Sequence, residues 1–282
     1  MISHRMWTRR VRLQDNAQRC RYARWSYRWL RAQIWKLLER VKNTFGIILT
    51  MNVLLTTPVL NVFEQMALDE VLVRAHASAR TLRFYNWAGG PAVTFGYAQF
   101  STEVRRGIDE RKFTGGVCRR PTGGGLVYHT DDLTFSLVFP SQKNPAEIYK
   151  QLHGAIQAAL ALSGLSAKVF EQKRPATAYA PSQNHSASAC FVNPVENDLL
   201  LESGQKMLGG AIRRFGTTVL YQGSLQVSGA RTNPAYKEAV INGVRGFFKA
   251  DLKIQPAQET WLSEARQLAK TQYQTIAWTE KF

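Results

Sequence analysis

Arg119-Arg120-Pro121-Thr122-Gly123-Gly124-Gly125-Leu126-Val127-Tyr128-His129 is the most informative stretch of the chain. Three consecutive glycines between two strand-like segments let the backbone approach a ligand closely and take torsions closed to other residues. Bare N–H groups beside arginines suit a carboxylate or a phosphate. The stretch is not a Walker loop, because no Gly-Lys-Ser/Thr follows. Nor is it a dinucleotide fingerprint, because no G-x-G-x-x-G opens a helix. Glycine clusters also make tight hairpins, and these residues alone leave that alternative open.

Working outward, Asn61 and Glu64 read as a capping box opening a helix whose buried stripe is Phe63, Met66, Val71 and Leu72. T-L-R-F-Y-N-W (81–87) is rich in strand formers, Gly89-Gly90-Pro91 is a turn, and A-V-T-F-G-Y (92–97) is a second strand. Beyond the glycines, residues 132–140 alternate, with Leu133, Phe135, Leu137 and Phe139 on one face, which predicts a half-buried strand. Residues 145–162 read as a helix with Ile148, Leu152, Ile156, Ala159 and Leu160 inward, and residues 172–189 as a loop. Strand-like segments return at 197–202 and 219–227, and two helical stretches follow at 235–248 and 258–274. Strands in hairpin-like clusters with helices between them predict an α+β sheet rather than strict βαβ alternation.

A second chemically suggestive region runs from Cys190-Phe191 to Gly204-Gln205-Lys206-Met207-Leu208-Gly209-Gly210-Ala211-Ile212-Arg213-Arg214. Lys206 sits in an apolar-flanked stretch, where desolvation would make it a candidate base or carbonyl-polarising group. Cys190 follows a loop beside basic sequence, a setting that favours thiolate. A solvated lysine and a buried structural cysteine are the plainer alternatives. Cys118, on a strand before the arginines, reads as core.

The formal charge of +17 is unevenly placed: residues 1–50 hold twelve Lys/Arg against only Asp15 and Glu39, so the arm carries most of it. Residues 19–45 show apolar residues at three- and four-residue steps among Arg and Lys, as in a basic amphipathic helix on an anionic surface. Interrupting arginines exclude a secretory signal. A transit peptide and a dispensable upstream segment, with Met51 opening the domain, are the competing readings. The chain is therefore expected to divide into a basic extension, 1–50, and a globular domain, 51–282, for which nucleic acid is not an expected partner. Three widely spaced cysteines argue against a disulfide framework or zinc site and for a reducing, cytoplasmic setting.

Taken together, four ordered motifs from Met51 onward resemble the lipoate-protein ligase A and octanoyltransferase superfamily, related in fold to biotin protein ligase. R-R-P-T-G-G-G-L-V-Y-H is similar to its Arg-Arg-x-Ser/Thr-Gly-Gly-Gly-x-Val-x-His signature. R-F-Y-N-W with P-A-V-T-F-G-Y resembles its upstream strand pair, K-M-L-G-G-A its Lys-(Ile/Val)-x-Gly-x-Ala element, and Y-Q-G-S-L the strand after it. The resemblance implies a mixed, largely antiparallel sheet flanked by helices, class II synthetase-like. It implies substrate contacts from Arg83, Arg120, Thr122, Gly123, Gly124, Gly125, Tyr128, His129, Gly209, Gly210 and Ala211, with Lys206 at the acyl carbonyl.

Within that superfamily, Cys190-Phe191 resembles the pair carried by the cysteine-dependent octanoyltransferase branch. This implies catalysis by Cys190 and Lys206 without metal or cofactor. The donor would be octanoyl-acyl carrier protein, and the acceptor a lipoyl domain of a 2-oxoacid dehydrogenase or a glycine cleavage H-type protein. The residues around A-I-R-R and 193–198 also resemble ligase patterns. Those imply the alternative of an ATP- and Mg-dependent lipoate-protein ligase, and a non-catalytic lipoyl-binding homologue is a remoter one.

Overall fold

The computed structural model describes residues 51–75, 78–171 and 194–282, and the expectations for residues 1–50, for the 172–189 loop and for Cys190 lie outside them. The first helix begins where the capping box predicts. Asn61 Oδ1 accepts from the N–H groups of Phe63 and Glu64, and Glu64 Oε2 accepts in turn from Asn61 N–H. Helix α1 (Val62–Ala75) follows strand β1 (Asn52–Thr56) and precedes β2 (Arg80–Phe84).

Next come β3 (Ala92–Phe95), α2 (Ser101–Arg106), β4 (Gly116–Arg119), β5 (Val127–His129), β6 (Leu133–Pro140) and α3 (Pro145–Leu162). Helix α3 starts on an Asn144 cap with Pro145 in its first turn. Beyond lie β7 (Lys168–Val169), β8 (Leu199–Leu200), β9 (Lys206–Phe215), β10 (Thr218–Leu225), α4 (Pro234–Phe248), β11 (Lys253–Pro256), α5 (Glu259–Leu268) and α6 (Ile276–Thr279).

Eight strands form one mixed sheet in the order β11-β1-β2-β6-β10-β9-β8-β7, and β4-β3-β5 form a second, smaller sheet. Within the large sheet only β1 pairs in parallel, with β2 and β11, so the sheet is largely antiparallel as expected. Helices α3 and α4 cover one face, packing Ile148, Leu152, Ile156 and Val244 on Leu82, Phe135, Leu137 and Phe139. On the other face α1 and α5 bring Met66, Leu68, Leu72, Trp261 and Leu262 against Val53, Leu55, Val138 and Leu220. No helix among the described residues is long and apolar enough to cross a membrane.

Two expectations need correction. Residues 81–87 and 92–97 are not a hairpin pair, because β2 lies in the large sheet and β3 in the small one. Strand β6 is not half-buried: every residue from Leu133 to Phe139 is buried, since the strand runs mid-sheet under helices on both faces. Its small polar residues face the α1 side, where Thr134 donates to Asp132 and Ser136 to Asp69, so alternation here separates two interiors. Residues Lys206–Phe215, which carry the second suggestive motif, form a strand with the glycines in its interior.

Candidate functional site

The glycine stretch is not a hairpin. Its flanking strands β4 and β5 both pair with β3, one parallel and one antiparallel. The loop must therefore cross over β3, and it does so against Gly96, where a Cβ would lie 1.8 Å from Gly124 O; Gly124 itself takes φ +86. Arg120 braces the crossing, donating to the carbonyls of Gly123 and Gly125 at 2.5 and 2.8 Å. Arg119 points the other way and is spent on the carbonyls of Tyr97, Gln99, Trp278 and Thr279. Arg120 thus fixes the loop's own backbone, while Arg119 ties β4 to residues 97–99 and to the C-terminal segment.

Behind this loop, between the two sheets, lies a cleft whose empty space, counted out to open solvent, is about 390 Å³. The small sheet contributes Thr94, Val127 and His129, with Arg120; the large sheet contributes Thr134, Gly209, Gly210, Ala211, Gln222, Gly223 and Ser224; Met66 and Tyr85 complete the lining. The register places Gly209 opposite Ser224 and Gly210 opposite Gly223, so small residues of adjacent strands meet in the lining.

Of the sequence-predicted contacts, Arg120, His129, Gly209, Gly210 and Ala211 line the cleft. Thr122 supports it from behind, donating to Gln222 Oε1 at 2.5 Å. Tyr128 faces away from its neighbours Val127 and His129 and packs on Phe113. Arg83 is fully buried, with its guanidinium on Asp69 and Gln65 rather than in the cleft. Cys118 is buried too, and burial pushes its thiol far above the ordinary range, which removes it as a nucleophile.

Two polar clusters bound the cleft. At the first, Asp69 accepts from Arg83, Ser136, the Tyr85 hydroxyl and Gln222. Burial, reinforced by the Asp69 charge, raises the Tyr85 phenol well above its ordinary value, so it remains a hydroxyl donor. At the second, His129 is sandwiched. Its Nδ1 lies 2.9 Å from Asp132 Oδ2, its Nε2 2.9 Å from Thr94 Oγ1, and its ring stacks on Trp87 at 4.5 Å. The Asp132 carboxylate only accepts, so Nδ1 carries a proton toward it. Burial pushes the Asp132 carboxyl up, but His129 and hydrogen bonds from Ser224 and Thr134 outweigh it and hold the group below its ordinary value. Sequence reading missed Asp132, although it stands only three residues after His129 in H-T-D-D.

Lys206 is neither solvated nor alone. Its Nζ lies 2.7 Å from Asp198 Oδ2, and both side chains are 2% exposed. A Cβ at position 209 would fall 2.6 Å from that Nζ, so the ammonium occupies the space that the Gly209 side chain lacks, at the cleft wall.

The lipoyl protein ligase A/B catalytic domain matches residues 61–247. The octanoyltransferase LipM of Symbiobacterium thermophilum is 34% identical over 169 residues, which are 57% of this chain and 60% of that protein. LipM of Anoxybacillus flavithermus is 33% identical over 172 residues, 57% and 59% of the two chains. The matched region thus spans about three-fifths of the length of these relatives. A crystal structure of lipoate-protein ligase A bound with ATP superposes with a TM-score of 0.62 at 22% identity, covering 82% of this chain and 98% of that one, and so shares the fold. A family match across most of the chain, on the fold and motifs described above, shows that this chain belongs to the lipoyl protein ligase A/B catalytic domain family.

Proposed function

We propose that the chain is an octanoyltransferase of protein lipoylation. It would move an octanoyl group from octanoyl-acyl carrier protein to a lysine of a lipoyl domain through a thioester on Cys190. The observation that carries this reading is the mainly apolar cleft with a buried lysine ammonium packed against Gly209, one of its lining residues, in a chain whose relatives are octanoyltransferases. An eight-carbon acyl chain needs such a slot, and a reacting carbonyl needs a fixed positive charge or N–H donor where negative charge develops.

In the first step the Cys190 thiolate attacks the donor thioester, the acyl group passes to Cys190, and the carrier thiolate leaves. In the second, the acceptor amine attacks the new thioester, the amide forms, and the amine's proton ends on the Cys190 sulfur. Lys206 serves both steps as a cation that stabilises the thiolate and the tetrahedral oxyanion, with Asp198 as its counter-charge. The ion pair with Asp198 supports electrostatic work for Lys206, beside the base role its sequence setting suggests. The transferase reaction calls for no cofactor.

Intact-mass spectrometry of the full chain, incubated with octanoyl-carrier protein and no ATP, tests the proposal. The expected result is an octanoyl adduct that is labile to hydroxylamine and absent from Cys190→Ala. A chain that forms no adduct, but adds lipoate to a lipoyl domain only with Mg-ATP, carries out the ligase reaction instead.

A further inference from the structure

Asp198 is held by more of the fold than an ordinary partner of a lysine would be. Just before it, Asn197 takes the left-handed φ of 72°. Its carbonyl accepts from His153 Nδ1 at 2.6 Å, and His153 Nε2 in turn accepts from the Tyr221 hydroxyl at 2.8 Å. Burial drives the His153 imidazole below its ordinary value and keeps this chain neutral and fixed. On the other side, Asn197 N–H donates to Phe170 O and Phe170 N–H to Asp198 O, both at 2.8 Å. The carboxylate itself takes two donors on one oxygen: Lys206 Nζ at 2.7 Å and the backbone N–H of Val195 at 2.7 Å.

We infer that Asp198 is a positioning residue: clamped by His153 and the end of β7, its carboxylate holds the Lys206 ammonium in the space left by Gly209 at the cleft wall. A lysine has four rotatable carbons and a strongly hydrated head, so with no buried counter-charge it extends toward water. Gly209 and Asp198 answer the two parts of that problem, one by making room and the other by making the room favourable. The Asp198 oxygen that holds Lys206 also ties down Val195, five residues after Cys190 in sequence. The inference rests on the transferase reading only for the consequence in rate; the position of the ammonium is a separate matter.

The test therefore has two readouts on the full chain. The first is labelling of Lys206 by an amine-reactive reagent at fixed pH, followed by peptide mass spectrometry. Wild type is expected to protect Lys206, and Asp198→Asn to raise its labelling about tenfold or more as the head group leaves its buried site. The second is single-turnover octanoyl transfer in a double-mutant cycle. Asp198→Asn is expected to slow transfer about 10²-fold in the native background and less than about twofold in the Lys206→Ala background, because the two residues act as a unit.

Lys206 still protected in Asp198→Asn, or an equal loss in both backgrounds, overturns the inference and leaves Asp198 a structural residue. If wild type transfers no octanoyl group, the functional reading fails and the labelling still decides the position. Should Asp198→Asn not fold, Gly209→Ala keeps the carboxylate and removes only the ammonium's space, and it is expected to raise labelling similarly.

Discussion

Arg83 and Lys206 are both buried cations within 2.7 Å of a carboxylate, yet the protein has built the two pairs differently. Arg83 is locked from every side. Its Nε goes to Asp69, its two terminal nitrogens to the side chain and carbonyl of Gln65, and its guanidinium lies over the Tyr85 ring at 4.2 Å. Asp69 is saturated by Tyr85, Ser136 and Gln222 besides. Lys206 instead meets a carboxylate shared with one backbone N–H, beside a strand glycine that lines the cleft. The rigid planar fork joins α1, β2, β6 and β10 into one scaffold. The compact ammonium places a charge where chemistry is proposed. Buried charge thus serves architecture at one site and reaction at the other.

The largest effect that tests this contrast is on rate. Replacing the whole pair, Lys206→Met with Asp198→Asn, removes both charges and leaves no uncompensated ion, so stability is expected to change little. Octanoyl transfer by the same variant is expected to fall about 10³-fold, roughly 4 kcal/mol at 1.36 kcal/mol per decade. Transfer rate and thermal unfolding measured on one preparation check both halves. A variant that unfolds early and keeps its rate per folded molecule reverses the contrast.

The matching change at the other pair, Arg83→Met with Asp69→Asn, is expected to act on stability. Here Gln65, Tyr85, Ser136 and Gln222 all lose a charged partner, so the double replacement resembles the breaking of a network, at about 3–5 kcal/mol. For a unit of this size that lowers Tm by roughly 6–20 °C. Calorimetry decides it, and a Tm within about 3 °C of wild type would show Arg83 to be dispensable to the scaffold.

Acid offers a smaller and graded probe of the Lys206 side. His153 is buried and its pKa is depressed below the ordinary 6.5. The unfolded chain therefore binds a proton that the folded chain refuses as pH falls through that value. His153 contributes its stability in full above about pH 6.5 and loses it as pH drops toward the depressed folded value, at up to about 1.4 kcal/mol per pH unit. His153→Gln is expected to flatten the fall in Tm between pH 6.5 and pH 5; an unchanged slope would remove His153 from the account of how Asn197 is held.

How much of this was legible in the sequence depends on the range of the interactions. The α1 capping box and the α3 helix are local, and turn chemistry with period exposes them, whereas the glycine crossing follows from the pairing of β4 and β5 with β3. Strand β6 misled because Thr134 and Ser136 look like solvent-facing positions, whereas their hydroxyls serve carboxylates from Asp132 and from Asp69 on α1. Arg83 reads as a ligand contact from its motif, but its guanidinium lies on Asp69 and Gln65, whereas Arg120 both lines the cleft and holds the loop's own carbonyls. Lys206 was recognisable from its motif, yet its meaning depends on Asp198, and Asp198 is positioned by His153 from a helix 45 residues upstream. Pairing across the fold carries no local periodicity, so the charged partners stayed hidden while the elements that bear them were visible.

The smallest expected effect separates the two regions most cleanly. Asn61 caps the helix that delivers Gln65 and Asp69 to Arg83. Asn61→Ala strips the acceptor from the Phe63 and Glu64 N–H groups, a loss of about 1 kcal/mol and roughly 2–4 °C in Tm. Because the missing bonds lie at the helix entry, a full turn from Asp69, the Arg83 network should survive and octanoyl transfer at 25 °C should stay within about twofold of wild type. A larger loss of rate would mean that strain at the start of α1 reaches Met66 and Tyr85 in the cleft, and that the scaffold pair governs the site as well as the stability of the fold.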